Sequence, residues 1–209
     1  MSLASNFVLV FAVIVGLTAA SDLHCCMSKK IYGKGLIVTA TLKNGSSSPV
    51  MTQNSFLVES NVDKKMQAVN GSIITMSSAG STHANYQVIR DFQHMKTYNI
   101  DGDKCLITQI VGEEMPDGCV SRELNFTGKY MYGSTEVNGW YGFVGGQHVT
   151  MTTTVNECIF MSSTRMGMMA DGTKITETVQ LVDVVQYQNS YDQVFDLPQS
   201  CKQAASTVG

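Results

Sequence analysis

The stretch Thr173–Tyr187, TKITETVQLVDVVQY, decides the fold. Ile175, Val179, Leu181, Val185 and Tyr187 fall on one side of an extended chain, and Glu177 and Asp183 interrupt that side. Alternation with period two marks a strand with one buried face, because successive side chains of a strand point to opposite sides. The pattern recurs along the chain. In LIVTATL, Leu36, Val38, Ala40 and Leu42 share a face; in YQVIRDF, Tyr86, Val88 and Phe92 oppose Gln87 and Asp91. In VTMTTTV, Val149, Met151, Thr153 and Val155 alternate with threonines, and CLITQIV is apolar on both sides apart from Thr108 and Gln109.

Turn chemistry agrees. Asn70-Gly71 and Asp171-Gly172 each separate two such runs, and both dipeptides accept the positive φ of a tight hairpin. Asp101-Gly102-Asp103 and Gly145-Gly146 mark two further turns. About ten strands at short spacing, with no helical stretch between them, predict an all-β antiparallel sandwich or open barrel.

The compartment follows from the chain ends and the cysteines. Phe7–Leu17 is an apolar run broken only by Gly16, followed by small residues. As a helix it would span about 17 Å, short of the roughly 30 Å of a bilayer core. Residues 1–20 therefore read as a signal peptide, with cleavage after Ala20 or Ser21, although the segment has no Lys or Arg. Residues 21–209 read as one secreted domain with no membrane span and no GPI signal. All six cysteines, Cys25, Cys26, Cys105, Cys119, Cys158 and Cys201, lie in that part. An even number in a secreted chain reads as three disulfides. Neighbours such as Cys25 and Cys26 do not bond to each other, so they reach different partners, within the chain or on another. No Cys-x-x-Cys occurs and the four histidines stand apart, which argues against zinc.

Fourteen basic and seventeen acidic residues, with no basic stripe, make nucleic acid a poor partner. There is no nucleophile elbow, zinc-protease helix or phosphate loop, so the expectation is a protein that is not an enzyme. Asp101-x-Asp103 and the loop Glu113–Gly118 hold acidic oxygens suited to calcium, although the same residues suit solvated turns better. The unusual feature is thirteen methionines, four of them in FMSSTRMGMM, near Trp140, Tyr141 and Phe143 in sequence. Methionine is flexible and polarizable and lines adaptable apolar surfaces, although any single one suits an ordinary core. Trp140, Phe143, Met151, Phe160, Met166 and Met168 are the candidate ligand contacts. Phe160, Met166 and Met168 have the parity to share a face unless Gly167 or a bulge breaks the register. Trp140 fits a core anchor equally well.

YNIDGDKC (Tyr98–Cys105), VNGWYG (Val137–Gly142), the lone Cys158 and YDQVFDLPQSC (Tyr191–Cys201) together resemble the ependymin-related family of secreted glycoproteins, over about residues 86–201. The resemblance implies two stacked antiparallel sheets, similar to bacterial lipoprotein carriers, with a hydrophobic pocket. It also implies a dimer, glycosylation and association with calcium. It implies Cys105–Cys201, and Cys158 with Cys25 or Cys26. Cys119 is then left for the other of that pair, where this chain departs from the family pattern and an intermolecular bond stays open. YDQVFDLPQSC becomes a terminal clamp, in which Val194, Phe195 and Leu197 pack, Pro198 stiffens and Cys201 ties the end back.

The function expected is a secreted glycoprotein binding a lipophilic molecule such as a fatty acid, another lipid, a retinoid-like compound or a carotenoid. The alternative is a calcium-associated matrix or adhesion glycoprotein without such a ligand. Three N-glycosylation sequons begin at Asn44, Asn70 and Asn125. At least one of them is expected to carry a glycan in protein secreted from eukaryotic cells. Glycosidase treatment should lower the mass of the native protein, and an unchanged mass would refute this.

Overall fold

The structure, a computed structural model, describes residues 25–187 and 192–206. The expected signal segment 1–20, with its cleavage region, and Tyr191 of the terminal clamp lie outside the described residues. The eleven strands are β1 (Lys30–Leu42), β2 (Val50–Asn61), β3 (Met66–Ser77), β4 (Gly80–Asp91), β5 (Lys96–Asp101), β6 (Lys104–Gln109), β7 (Leu124–Tyr132), β8 (Thr135–Val144), β9 (Gln147–Thr154), β10 (Phe160–Met168) and β11 (Lys174–Gln186). A 3-10 turn (Asp192–Phe195) and one helix, α1 (Gln199–Ser206), follow.

All strand pairings are antiparallel, in the order β6-β5-β4-β3-β2-β1-β11-β10-β9-β8-β7. The sheet is not closed, and β6 and β7 are its two ends. The expected layers are thus the two halves of one hydrogen-bonded sheet, joined where β1 pairs with β11. A sheet this wide twists and curls rather than lying flat. One apolar cluster draws on both halves: Ile37, Phe56, Val58 and Val69 from β1–β3, and Trp140, Val149, Met151, Phe160, Val179 and Leu181 from β8–β11. Side chains this deeply buried, with no helix packed over them among the described residues, imply that the sheet curls over this face, which is thus the concave one.

Two glycines set the packing of its deepest part. Gly35, Phe56, Gly71 and Tyr86 stand side by side on β1, β2, β3 and β4. The Phe56 ring lies over Gly35, where a Cβ would fall 2.1 Å from Cζ. A Cβ on Gly71 would fall 2.5 Å from the Ser55 carbonyl oxygen and 2.7 Å from the Tyr86 hydroxyl. This corrects the reading of Asn70-Gly71 as a hairpin turn: β3 runs straight through it, and the glycine is there for close approach. Asp171-Gly172, Gly145-Gly146 and Gly102-Asp103 do form turns between paired strands. At Gly145 and Gly146 both φ angles are positive, as a two-residue hairpin requires.

The expectation for β11 also needs one correction. Its register against β1 shifts between Tyr32 and Lys34, and Asp183 takes a φ of 51° there. The bulge turns the strand over, so Ile175, Val179 and Leu181 are buried while Val185 is exposed.

A second apolar cluster lies on the opposite, convex face. Ala68, Ile89, Tyr98 and Ile100 from β3–β5 are covered by Phe195 and Cys201, with Val194 and Leu197 packed beside them. This is the terminal clamp, and α1 lies against the edge strand β6. The disulfides are Cys105–Cys201, Cys25–Cys158 and Cys26–Cys119, all within the chain. They match the two pairings implied by the family resemblance and place the third inside the chain as well. Gly35→Ala should lower unfolding stability by about 1–3 kcal/mol, the usual scale of overpacking a core. A thermal or denaturant double-mutant cycle with Phe56→Leu should show the two changes strongly coupled, and additive losses would contradict the ring-over-glycine contact.

Candidate functional site

The concave face can be read row by row from the strand register. One row runs Ala84, Ile73, Asn54, Ile37, Val179, Ser163, Met151, Trp140 and Phe126, from β4 across to β7. Its centre and its β8–β11 side are dry, with Met151 and Trp140 almost wholly buried. Trp140 Nε1 donates to Thr153 Oγ1 at 3.1 Å, and its ring meets Phe126 edge-on at 5.4 Å. On the other side Ile73, Ala84 and Tyr86 are only half-buried, so the face opens toward β3 and β4.

The adjacent row is polar: Thr82, Thr75, Thr52, Thr39, Glu177, Arg165, then Val149 and Gly142. Arg165 Nε lies 2.8 Å from Glu177 Oε1, and both side chains are about one-twentieth exposed (5% and 6%). Thr39 Oγ1 donates to Glu177 Oε2 at 3.2 Å. A charge of each sign so deeply placed is tolerable only as a pair with further hydrogen bonds. Tyr86 donates its phenol to Asn54 Oδ1 at 2.7 Å. Burial pushes the Tyr86 phenol well above its ordinary range, and the hydrogen bond to Asn54 works weakly against that. It stays a neutral donor throughout the physiological range. The face is therefore a mainly apolar lane, interrupted by Asn54 and Ser163, bordered by a polar row and half-buried on its β3–β4 side.

The six sequence-based candidates divide between the two faces. Trp140, Met151 and Phe160 lie in the concave core. Phe143, Met166 and Met168 are on the convex face and are 59%, 48% and 65% exposed. Strand parity separates Phe143 from Trp140, and a register shift between Phe160 and Ser162 separates Phe160 from the two methionines. Sequence reasoning missed Asn54, Phe56, Ile37, Tyr86, Arg165 and Glu177. The intruding charge at Glu177 was the available signal for the buried pair, and Gly35 and Gly71 were the signal for Phe56.

The sequon residues Asn44, Asn70 and Asn125 are all exposed. Among the described residues no group of three or more His, Cys, Asp and Glu is placed to hold a metal ion, and no helix is long and apolar enough to cross a membrane.

No protein-family model matches the chain, and no curated protein sequence does. Several solved structures are distantly similar. MucB in complex with MucA(peri) is 12% identical, with a TM-score of 0.38, over 82% of this chain and 55% of that one. A DUF1329 family protein from Desulfovibrio piger is 10% identical, with a TM-score of 0.32, over 81% of this chain and 90% of that one. PNGF-II is 7% identical, with a TM-score of 0.29, over 78% of this chain and 30% of that one. This chain thus spans about half the length of the MucB structure it matches. Likenesses of this degree say nothing about activity.

Removing one partner of the buried pair should be costly. Glu177→Gln or Arg165→Met should lower stability by about 3–5 kcal/mol, because the remaining charge is stranded in the core. The double change Arg165→Met with Glu177→Leu should recover most of that loss in chemical denaturation. A double variant as unstable as the sum of the singles would contradict the pairing.

Proposed function

We propose that this protein is a secreted, non-enzymatic carrier of a lipophilic molecule, held along the concave face of the sheet. The observation that carries the reading is the lane Ile73–Ile37–Val179–Met151–Trp140, dry at one side and half-open at the other, with Asn54 and Tyr86 at the open side. Burial is the mechanism. A long apolar chain leaves water at about 25 cal/mol per Å² of apolar area removed, and the polar groups orient its end. Three disulfides are consistent with an oxidising compartment outside the cytosol. Membership of the ependymin-related family is part of the same proposal. It is supported by the Cys105–Cys201 and Cys25–Cys158 bonds. Exposed Asn44, Asn70 and Asn125 support glycosylation.

Organic extraction of native protein, followed by mass spectrometry and an absorption spectrum, should release a lipid or pigment. Ile73→Gln should then retain less of it with little change in melting temperature, since Ile73 is half-buried at the open side. Protein that yields no extractable molecule, and that takes up no retinol or fatty acid as judged by Trp140 emission, would favour the matrix-glycoprotein reading instead.

A further inference from the structure

The convex face carries a belt of apolar side chains at one end of the sheet. Four hairpin connections meet at this end: residues 43–49, 78–79, 145–146 and 169–173. Just below them, strand register sets Ser81, Met76, Met51, Ala40, Thr176, Met166, His148 and Phe143 side by side across eight strands. Met51, Met76, Met166 and Phe143 of that row are exposed. Nearer the tips, Met168 and Leu42 flank Lys174, and Met169 begins the last turn; Met168 and Met169 are exposed. One row further from the tips the composition is mixed: His83, Gln53, Thr178, Thr164 and Thr150 stand with Ile74 and Val38 among them, and Tyr141 is at its end. Tyr141 there shares a 2.9 Å hydrogen bond with His148.

Exposed apolar surface of this extent marks an interaction site. Its shape and charge select the partner. The four hairpins lie at one end of the sheet, so an end-on approach brings all of them toward a plane. Rows two residues apart in a strand stand roughly 7 Å apart, within the roughly 5–10 Å depth at which interfacial segments seat in a bilayer. Methionine adapts to a fluid partner, and tyrosine at the next level is the residue type found at headgroup depth. Of seventeen acidic residues only Asp171 sits in the four connections, beside Lys43, and Lys174 adds a second positive charge. The chain as a whole is net negative, at −3. With exposed Glu123 beside Gly142 offset by its neighbour Arg122, Lys174 leaves this end a small positive excess against a net negative chain, which favours anionic headgroups.

We infer that the protein docks end-on to a lipid surface through Met51, Met76, Phe143, Met166, Met168 and Met169, with Lys43 and Lys174 facing the headgroups. This goes beyond the carrier reading and stands apart from it, since docking needs no bound ligand. A glycan on Asn44 would stand in the docking plane, so the test uses the full secreted chain with Asn44→Gln.

Flotation with vesicles of phosphatidylcholine, and of equimolar phosphatidylcholine and phosphatidylserine, is the measurement. The protein should float with both, more with the anionic ones, and the excess should fall with added salt. Met168→Glu and Phe143→Glu should each weaken partitioning about tenfold, equivalent to about 1.4 kcal/mol, without changing the melting temperature. Leu106→Glu, an exposed apolar site on β6 away from the belt, should float as the parent does. Absence of flotation by the parent would overturn the inference. So would belt variants that float unchanged, or a Leu106→Glu loss equal to theirs. A belt variant that turns a dimer into a monomer in sedimentation while flotation is unaffected would reassign the belt to a second copy of the chain. Loss of extractable ligand without loss of flotation would leave this inference intact while removing the carrier reading.

Discussion

An antiparallel sheet of eleven strands has one face lined with Val58, Val69, Trp140, Val149, Met151 and Phe160, and no helix lies against that face among the described residues. Leaving these side chains wet would forfeit about 1.5–3 kcal/mol for each large one. The sheet must therefore supply its own cover by curling. The glycines follow from this, because tight curvature brings Phe56 down onto Gly35 and Gly71. The bulges at Asp183 and between Phe160 and Ser162 follow too, since each adds local bend and re-aims the residues beyond it. A concave apolar lane is then a by-product of how the fold solves its burial problem. The part of the lane that curling leaves half-covered is its β3–β4 side, at Ile73, Ala84 and Tyr86.

The two ends of the sheet are treated differently. Cys26–Cys119 ties the N-terminal segment to the 110–123 connection, Cys25–Cys158 ties it to the β9–β10 connection, and Cys25 and Cys158 belong to the concave core. Cys105–Cys201 fixes the terminal helix α1 beside the edge strand β6, whose backbone would otherwise invite pairing. Phe195 and Leu197 meanwhile cover the convex apolar patch of β3–β5. The terminal residues Val194, Phe195, Leu197 and Cys201 are thus a lid for the convex side of the sheet, the side that curling exposes rather than buries.

Much of this was legible in the sequence. Period-two alternation located the strands, and Gly145-Gly146 and Asp171-Gly172 located hairpins, because both signals are local. The errors came where the cause is distant. Asn70-Gly71 has turn chemistry, but the constraint on Gly71 comes from Ser55 and Tyr86 on neighbouring strands. Val185 has core chemistry, but the bulge two residues earlier turns it outward. The site suffered most. Phe143, Met166 and Met168 were grouped with Trp140 by proximity in sequence, while parity and register put them on the other face. The polar residues Asn54, in the lane, and Arg165, in the row beside it, carry no local signal, since each depends on a partner in another strand, Tyr86 and Glu177.

The methionines make sense once the two faces are separated. Met151 fills the dry core, where its flexibility serves packing around Trp140. Met51, Met76, Met166, Met168 and Met169 stay outside, at the end where no disulfide links the strands. Stability in a folded chain is uneven, and hairpin ends with few buried contacts open at the least cost. These exposed methionines gather at the hairpin end, whose four connections hold a single acidic residue, and stand on the other face from the β3–β4 side where the concave row is half-buried.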